Sequence, residues 1–137
     1  MIDINKKIPG CKNFYWREVL FLHGIGACVY VNDATRENLI KVCGKLQEIR
    51  DMYGKPIKIN SGFRPTKYNR HIGGASRSMH TKGGAIDFKI KGVSCDVVRK
   101  DLEPRLKELG LRMEDLPKSN WVHIDIKPVG RNRYFKP

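Results

Sequence analysis

The feature that most constrains the fold of this chain is an acidic residue inside an apolar strand pattern. Asp87 lies between Ile86 and Phe88, and residues 85–90 alternate as they do in a β-strand with one buried face. A carboxylate in a buried strand is costly unless it is paired or bound to a metal. The alternative is that Asp87 faces solvent on the polar side of the strand.

A histidine precedes this acid by seven residues. If the intervening chain were extended, the side chains of His80 and Asp87 would lie ~23 Å apart. Gly83 and Gly84 stand between them and allow a sharp turn. We therefore expect the turn to bring His80 back beside Asp87.

A second histidine lies in the last apolar strand pattern, residues 121–126. Alternation in this strand puts His123 and Asp125 on one face and the aliphatic residues on the other. Two histidines and one aspartate are the ligand set of a zinc site that leaves a fourth position open for water. This set predicts a zinc hydrolase.

The rest of the pattern predicts a mixed fold. Apolar residues recur at helical spacing from Leu39 to Tyr53, between a capping pair Asn32-Asp33 and a stopping Gly54. Residues 57–62 alternate as a strand. A second helical pattern begins at Ser94, and Pro104 interrupts it. Residues 14–22 fit either a short helix or a strand, and residues 111–120 and the tail carry no clear signal.

Size and charge set the broad class. The chain has 137 residues, which predicts one domain spanning 1–137, and its 27 Lys and Arg against 14 Asp and Glu give a net charge of +13. Such a field attracts polyanions, whether nucleic acid, anionic lipid or acidic wall polymers. Four cysteines without a close pair argue against a cysteine zinc knuckle or a redox motif, and we expect free thiols.

No part of the sequence predicts membrane insertion. The N-terminus has an acid before its basic pair and no apolar run behind them, and no stretch approaches the roughly 18 apolar residues of a membrane span. We therefore expect synthesis in the cytoplasm without a signal peptide, followed by release, and a monomeric protein.

Five short motifs occur in order along the chain: Ser61-Gly62-Phe63-Arg64, Tyr68-Asn69-Arg70, Gly73-Gly74, Ser78-x-His80-x-x-Gly83-x-Ala85-x-Asp87 and Trp121-Val122-His123-Ile124-Asp125. On these motifs the chain resembles the zinc D-alanyl-D-alanine carboxypeptidase family of bacterial and phage peptidoglycan metallopeptidases, whose fold the hedgehog signalling domain shares. The resemblance runs from about Asp33 to the tail. It implies an α+β fold in which a small antiparallel sheet carries the zinc site and helices pack on one side.

The resemblance also implies roles for individual residues. His80, Asp87 and His123 would hold one zinc ion beside the attacking water, which suits amide hydrolysis in peptidoglycan stem peptides. Arg64 would bind a substrate carboxylate or the developing oxyanion. Ser78 would line the site and hydrogen-bond the substrate.

The chain departs from the family at the general base. Many members have Glu or Asp three residues before the last histidine, or His two before it, whereas this chain has Asn120 and Trp121. Neither accepts a proton at neutral pH. Asp125 is the nearest substitute, although it could instead orient His123. Two further candidates precede the strand: Glu114 and Asp115.

Three functions remain open from the sequence. The first is an active zinc peptidase, a D-Ala-D-Ala carboxypeptidase or an endopeptidase, of the phage endolysin kind. The second is a zinc-binding but inactive wall-binding module. The third is a basic nucleic-acid-binding domain, which only the charge supports, since no nucleic-acid motif accompanies it.

Overall fold

The computed structural model describes residues 2–137 and has mixed α and β structure, as expected. The helices are α1 (Trp16–Leu20), α2 (Asp33–Tyr53), α3 (Thr66–His71), α4 (Cys95–Leu102) and α5 (Leu106–Leu109), with 3-10 turns at Met79–Lys82 and Glu103–Arg105. The strands are β1 (Phe21–Leu22), β2 (Ala27–Cys28), β3 (Ile57–Ser61), β4 (Ala85–Ile90), β5 (Arg112–Glu114), β6 (Val122–Asp125) and β7 (Tyr134–Phe135).

Five strands form the main sheet in the order β3-β4-β6-β5-β7, and β1 and β2 form a separate hairpin. Each neighbouring pair in the sheet is antiparallel except β5 and β7, which run parallel. The expected small antiparallel sheet is therefore formed by β3, β4, β6 and β5, and the parallel edge strand β7 is an addition to it. After β6 the chain continues to the outer edge of β5, where it forms β7. Because β7 runs antiparallel to β6, and β5 is also antiparallel to β6, β7 is parallel to β5.

The long helix α2 has the predicted start and stop. The Asn32 side chain accepts a hydrogen bond from the Thr35 amide, and Gly54 ends the helix in the left-handed conformation with φ +61°. Its apolar stripe is fully buried and packs on the apolar face of the sheet together with α4. That face consists of alternate strand residues, including Ile86, Phe88 and Ile124.

Three segments that the sequence left undecided are now resolved. Residues 14–22 contain both a helix and a strand, α1 followed by β1. Pro104 divides the second helical pattern, as expected, and lies in the 3-10 turn between α4 and α5. The polar segment before β6 and the tail contain β5 and β7, two short strands that the sequence analysis missed.

The cysteine side chains and the apolarity of the helices can be described directly. All four cysteines are free, and Cys43 is buried in the core. Among the helices of residues 2–137, none combines the length and the apolarity needed to cross a bilayer.

The strand register determines which side chains share the face opposite the helices. Asp87 in β4 pairs with His123 in β6, and Ser61 in β3 pairs with Asp87. Arg112 in β5 pairs with Asp125 in β6. Cross-strand partners point to the same side of a sheet, so the polar residues of four strands converge on one face.

Candidate metal centre

Two side chains of this polar face meet a third from the 3-10 turn Met79–Lys82. His80, Asp87 and His123 each offer a ligand atom, and these atoms all lie within 4.8 Å of one another. The Asp87 Oδ1 atom is 3.1 Å from His80 Nε2 and 2.8 Å from His123 Nδ1. Both rings are buried, whereas 16% of the Asp87 side chain is exposed. The predicted glycine turn does bring His80 beside Asp87.

The backbone fixes the orientation of His80. Gly83 has φ +73°, and a Cβ atom there would lie 2.8 Å from the Thr35 carbonyl oxygen of α2, so the turn requires glycine. The His80 Nδ1–H group donates to the Gly62 carbonyl at 2.7 Å. Because a carbonyl only accepts, the proton of a neutral His80 ring lies on Nδ1 and the Nε2 lone pair faces Asp87.

Gly62 supplies this carbonyl because its backbone lies against α1. A Cβ atom at Gly62 would lie 2.6 Å from the carbonyl oxygen of Val19, a distance that no side chain can occupy. The neighbouring Arg64 amide donates to the His80 carbonyl at 2.9 Å. The loop after β3 is thus joined at two points to the residue that it orients.

His123 is fixed by a carboxylate in the same way. Its Nε2–H group donates to Asp125 Oδ2 at 2.9 Å, which leaves the Nδ1 lone pair of the neutral ring facing Asp87. Asp125 is 1% exposed and also accepts two hydrogen bonds from the Arg112 guanidinium, at 2.8 and 2.9 Å. The guanidinium carbon of Arg112 lies 3.9 Å from the centroid of the Phe135 ring, which holds it in place.

These donors suit a cation. Two nitrogen lone pairs and one carboxylate oxygen point at one another, an arrangement that is repulsive unless a proton or a metal ion lies between them. Two imidazoles and a carboxylate are also donors that zinc commonly accepts. The residues present therefore fit a zinc ion.

The titration of the site agrees with this interpretation. Burial opposes ionisation of Asp87, but hydrogen bonds from His123 and His80 outweigh it and hold the pKa of the Asp87 carboxyl well below its usual range. Burial lowers the pKa of His123, whereas its hydrogen bonds to Asp125 and Asp87 raise it, to a net value of about 9. The ring thus gains a proton in the cluster, and a metal ion has to displace that proton.

Arg64 extends toward this cluster from the end of β3. Burial lowers the pKa of its guanidinium, and the charges of Asp87, Tyr68 and Glu114 oppose that shift. The Nε atom of Arg64 is buried and has no hydrogen-bond partner among residues 2–137. A half-buried guanidinium with an unused, buried Nε donor is suited to an anionic ligand group.

Ser78 has a different contact from the predicted one. Its Oγ atom accepts a hydrogen bond from the His80 amide at 3.2 Å and caps the 3-10 turn that carries this histidine. The Ser78 carbonyl in turn accepts from the Thr81 hydroxyl at 2.7 Å. In this structure the serine positions His80, and its binding of substrate stays a prediction.

Asp125 is poorly placed for the predicted alternative role of general base. It lies on the far side of the His123 ring from Asp87, and Arg112 occupies both of its oxygens. A buried carboxylate in a two-point ion pair does not accept a proton from water readily. The geometry favours the orienting role, and Arg112, which the sequence analysis did not single out, completes it.

Three further residues that the sequence analysis considered for the site lie at exposed positions. Asn120 and Trp121, at the family's base positions, are both exposed. His71, which the sequence placed outside the ligand set, is exposed at the end of α3. The roles of Gly62 and Arg112 were not predicted from the sequence. Gly62 acts through its backbone carbonyl group, and Arg112 lies in a strand of only three residues, so neither role gives a periodic sequence signal.

The chain has relatives among proteins of known activity. It is 39% identical over 81 residues to the peptidoglycan L,D-endopeptidase MepK of Escherichia coli (strain K12), which is 55% of this chain and 42% of that protein. It is 45% identical over 54 residues to the zinc D-Ala-D-Ala carboxypeptidase of Streptomyces albus G, which is 39% of this chain and 21% of that protein.

A third relative matches over a longer segment. It is the probable peptidoglycan L,D-endopeptidase MepK of Haemophilus influenzae, 32% identical over 97 residues, or 67% of this chain and 50% of that protein. The chain thus spans half the length or less of these three relatives. A family model described as Peptidase M15 matches residues 17–125, well over half of the chain, and the segment contains the whole cluster. This chain belongs to the peptidase M15 family.

Proposed function

We propose that the protein is a zinc-dependent peptidase that hydrolyses amide bonds in peptidoglycan stem peptides. The observation that carries the proposal is the convergence of two imidazole nitrogens and one carboxylate on the polar face of the sheet. The family and the names of the relatives supply the substrate class.

In this proposal His80, Asp87 and His123 hold one zinc ion. When bound, zinc would polarise the scissile carbonyl and lower the pKa of water. The protein fixes the two histidines from behind, one through Gly62 and the other through Asp125. The ring nitrogens that face Asp87 therefore point to the same place before any ligand arrives. Binding has to displace the proton of His123 but does not have to reorient either ring.

Arg64 would hold an anionic part of the substrate beside the metal. Its unpartnered, buried Nε group and the polarity of the cluster support this role. Either a terminal carboxylate or the oxyanion that develops on the scissile carbonyl would satisfy the guanidinium. Such a contact orients the peptide bond and stabilises its transition state.

The proposal extends to the fold, the oligomeric state and the biological setting of the protein. We propose the hedgehog-like arrangement for the fold, a single domain and a monomer. We further propose that the protein is a phage endolysin or a related lytic enzyme that acts on the wall after release. The net charge of +13 supports attraction to acidic wall polymers. The longer matches are with L,D-endopeptidases, which favours a cut within the stem peptide.

A zinc-binding but inactive module is the second candidate, favoured by Asn120 and Trp121 at the family's base positions. One experiment separates the two. Purified protein is added to cell walls, and released fragments and new amines are followed by mass spectrometry, with and without a chelator. Chelator-sensitive cleavage supports the peptidase, and the fragment masses identify the bond. Stoichiometric zinc with intact walls supports the inactive module.

A further inference from the structure

The proposed peptidase needs a proton acceptor for the attacking water, and the structure supplies a candidate on β5. We propose that Glu114 is this general base. The inference rests on the proposed function. In the family pattern the general base lies at the position of Asn120 or Trp121, and Glu114 is at a different position.

The sheet puts Glu114 on the face of the metal cluster. Its register partner in β7 is Phe135, and the Phe135 ring packs edge-on against His123 with centroids 6.1 Å apart. Arg112, two residues earlier in β5, also points to this face, since it pairs with Asp125. Two independent neighbours thus place the Glu114 side chain on the same side as the cluster.

The strand register with β6 places Glu114 in the same cross-strand row as His123 and Asp87. Arg112 pairs with Asp125 and Met113 with Ile124, so one further step sets Glu114 opposite His123. His123 is in turn the partner of Asp87. Directly opposed residues have Cβ atoms about 4.5–5.5 Å apart, which puts the carboxylate within reach of a water beside His123.

Glu114 is also free to act. It is half-buried, and none of the ion pairs formed among residues 2–137 includes it. The negative charge of Glu114 raises the pKa of the Arg64 guanidinium, which lies on the opposite side of the cluster. A carboxylate on one side and a guanidinium on the other match the two tasks of amide hydrolysis, proton transfer and stabilisation of the oxyanion.

The other carboxylates near the centre are occupied. Asp125 is enclosed by Arg112 and His123. Asp115, adjacent to Glu114, points to the opposite side of β5 and interacts with Tyr134, whose pKa is raised by burial and by this carboxylate.

In the proposed step, Glu114 takes one proton from water as the water oxygen attacks the carbonyl carbon. It then gives the proton to the leaving amine as the C–N bond breaks.

The test compares Glu114→Gln and Glu114→Ala with Asp115→Asn on cell walls or a purified stem peptide. We expect Glu114→Gln to lower kcat by about 10²- to 10⁴-fold with KM changed little. Zinc stoichiometry and zinc affinity, measured by competition with a chromophoric chelator, should equal those of the wild type. Asp115→Asn should stay within about twofold of wild-type activity.

Rescue separates proton transfer from a structural role. Formate should restore part of the activity of Glu114→Ala, because a small carboxylate fits the space left by the side chain, and formate should not affect the wild type. Glu114→Gln with near wild-type kcat, or loss of zinc from both variants, would overturn the assignment while an active wild type upholds the peptidase. A zinc-loaded wild type that cleaves no wall peptide would overturn both.

Discussion

Arg112 and Asp125 form a two-point ion pair directly behind the metal centre. The Arg112 Nε atom lies 2.8 Å from Asp125 Oδ1, and the Nη2 atom lies 2.9 Å from Oδ2. The same Oδ2 atom accepts from the Nε2–H group of His123. The ion pair therefore sets both the tautomer and the orientation of His123, a proposed zinc ligand, and it joins β5 to this part of β6.

Asp125→Asn should weaken zinc binding by about 10- to 100-fold, the range found when a partner behind a ligand histidine is lost. The amide lacks the charge that holds the Nε2 proton, and it leaves the Arg112 guanidinium without its two-point partner. Zinc affinity should be measured by chelator competition. The matched control is Asp101→Asn, which removes a remote, exposed partner of Tyr53. Equal zinc affinity in both variants would contradict the orienting role.

His80→Ala should lose stoichiometric zinc, because it removes one of three donors from a cluster that spans only 4.8 Å. His71→Ala is a close control, since this histidine is exposed at the end of α3 and lies outside the cluster. Metal content after dialysis, measured by atomic emission, checks both variants. If His80→Ala retained one zinc per chain, the proposed ligand set would be wrong.

Arg64→Ala should lower kcat/KM on wall peptides by about 10²- to 10³-fold and leave the zinc content unchanged. The side chain offers a buried, unpartnered donor near the cluster, so its loss removes a contact to the substrate and not a metal ligand. Arg105→Ala, at an exposed position between α4 and α5, controls for the loss of one positive charge. A similar decrease in both variants would point to general electrostatic attraction to the wall.

The parts of this fold that the sequence predicted are those with strong local signals. α2 has a capping Asn32, a long apolar stripe and a stopping Gly54, and β4 alternates over six residues. The cluster was predictable in part for a related reason, since His80 and Asp87 flank a glycine turn. The third donor, His123, lies 36 positions from Asp87 and was placed by strand alternation and by the resemblance to the family.

The missed parts depend on contacts distant in sequence. β5 and β7 are three and two residues long, too short for a period, and only their pairing with each other and with β6 defines them. The role of Asp125 was left open because the ion pair with Arg112 joins residues 13 positions apart on different strands. A carbonyl group such as that of Gly62 has no side-chain signature at all.

The cysteines give a prediction that does not depend on the metal. Burial raises the pKa of the Cys11 thiol to about 11, so only about one molecule in a thousand carries the reactive thiolate at pH 8. Cys43 and Cys95 are also buried, whereas Cys28 is partly exposed. In the native protein we expect an alkylating reagent to modify Cys28 first and Cys11 far more slowly, with the Cys11 rate increasing as the pH rises toward 11. Mass spectrometry of peptides after timed labelling at pH 7, 8 and 9 measures each site, and denaturant should equalise the four. Fast modification of Cys11 at pH 7 in the folded protein would contradict its burial in the hydrophobic core.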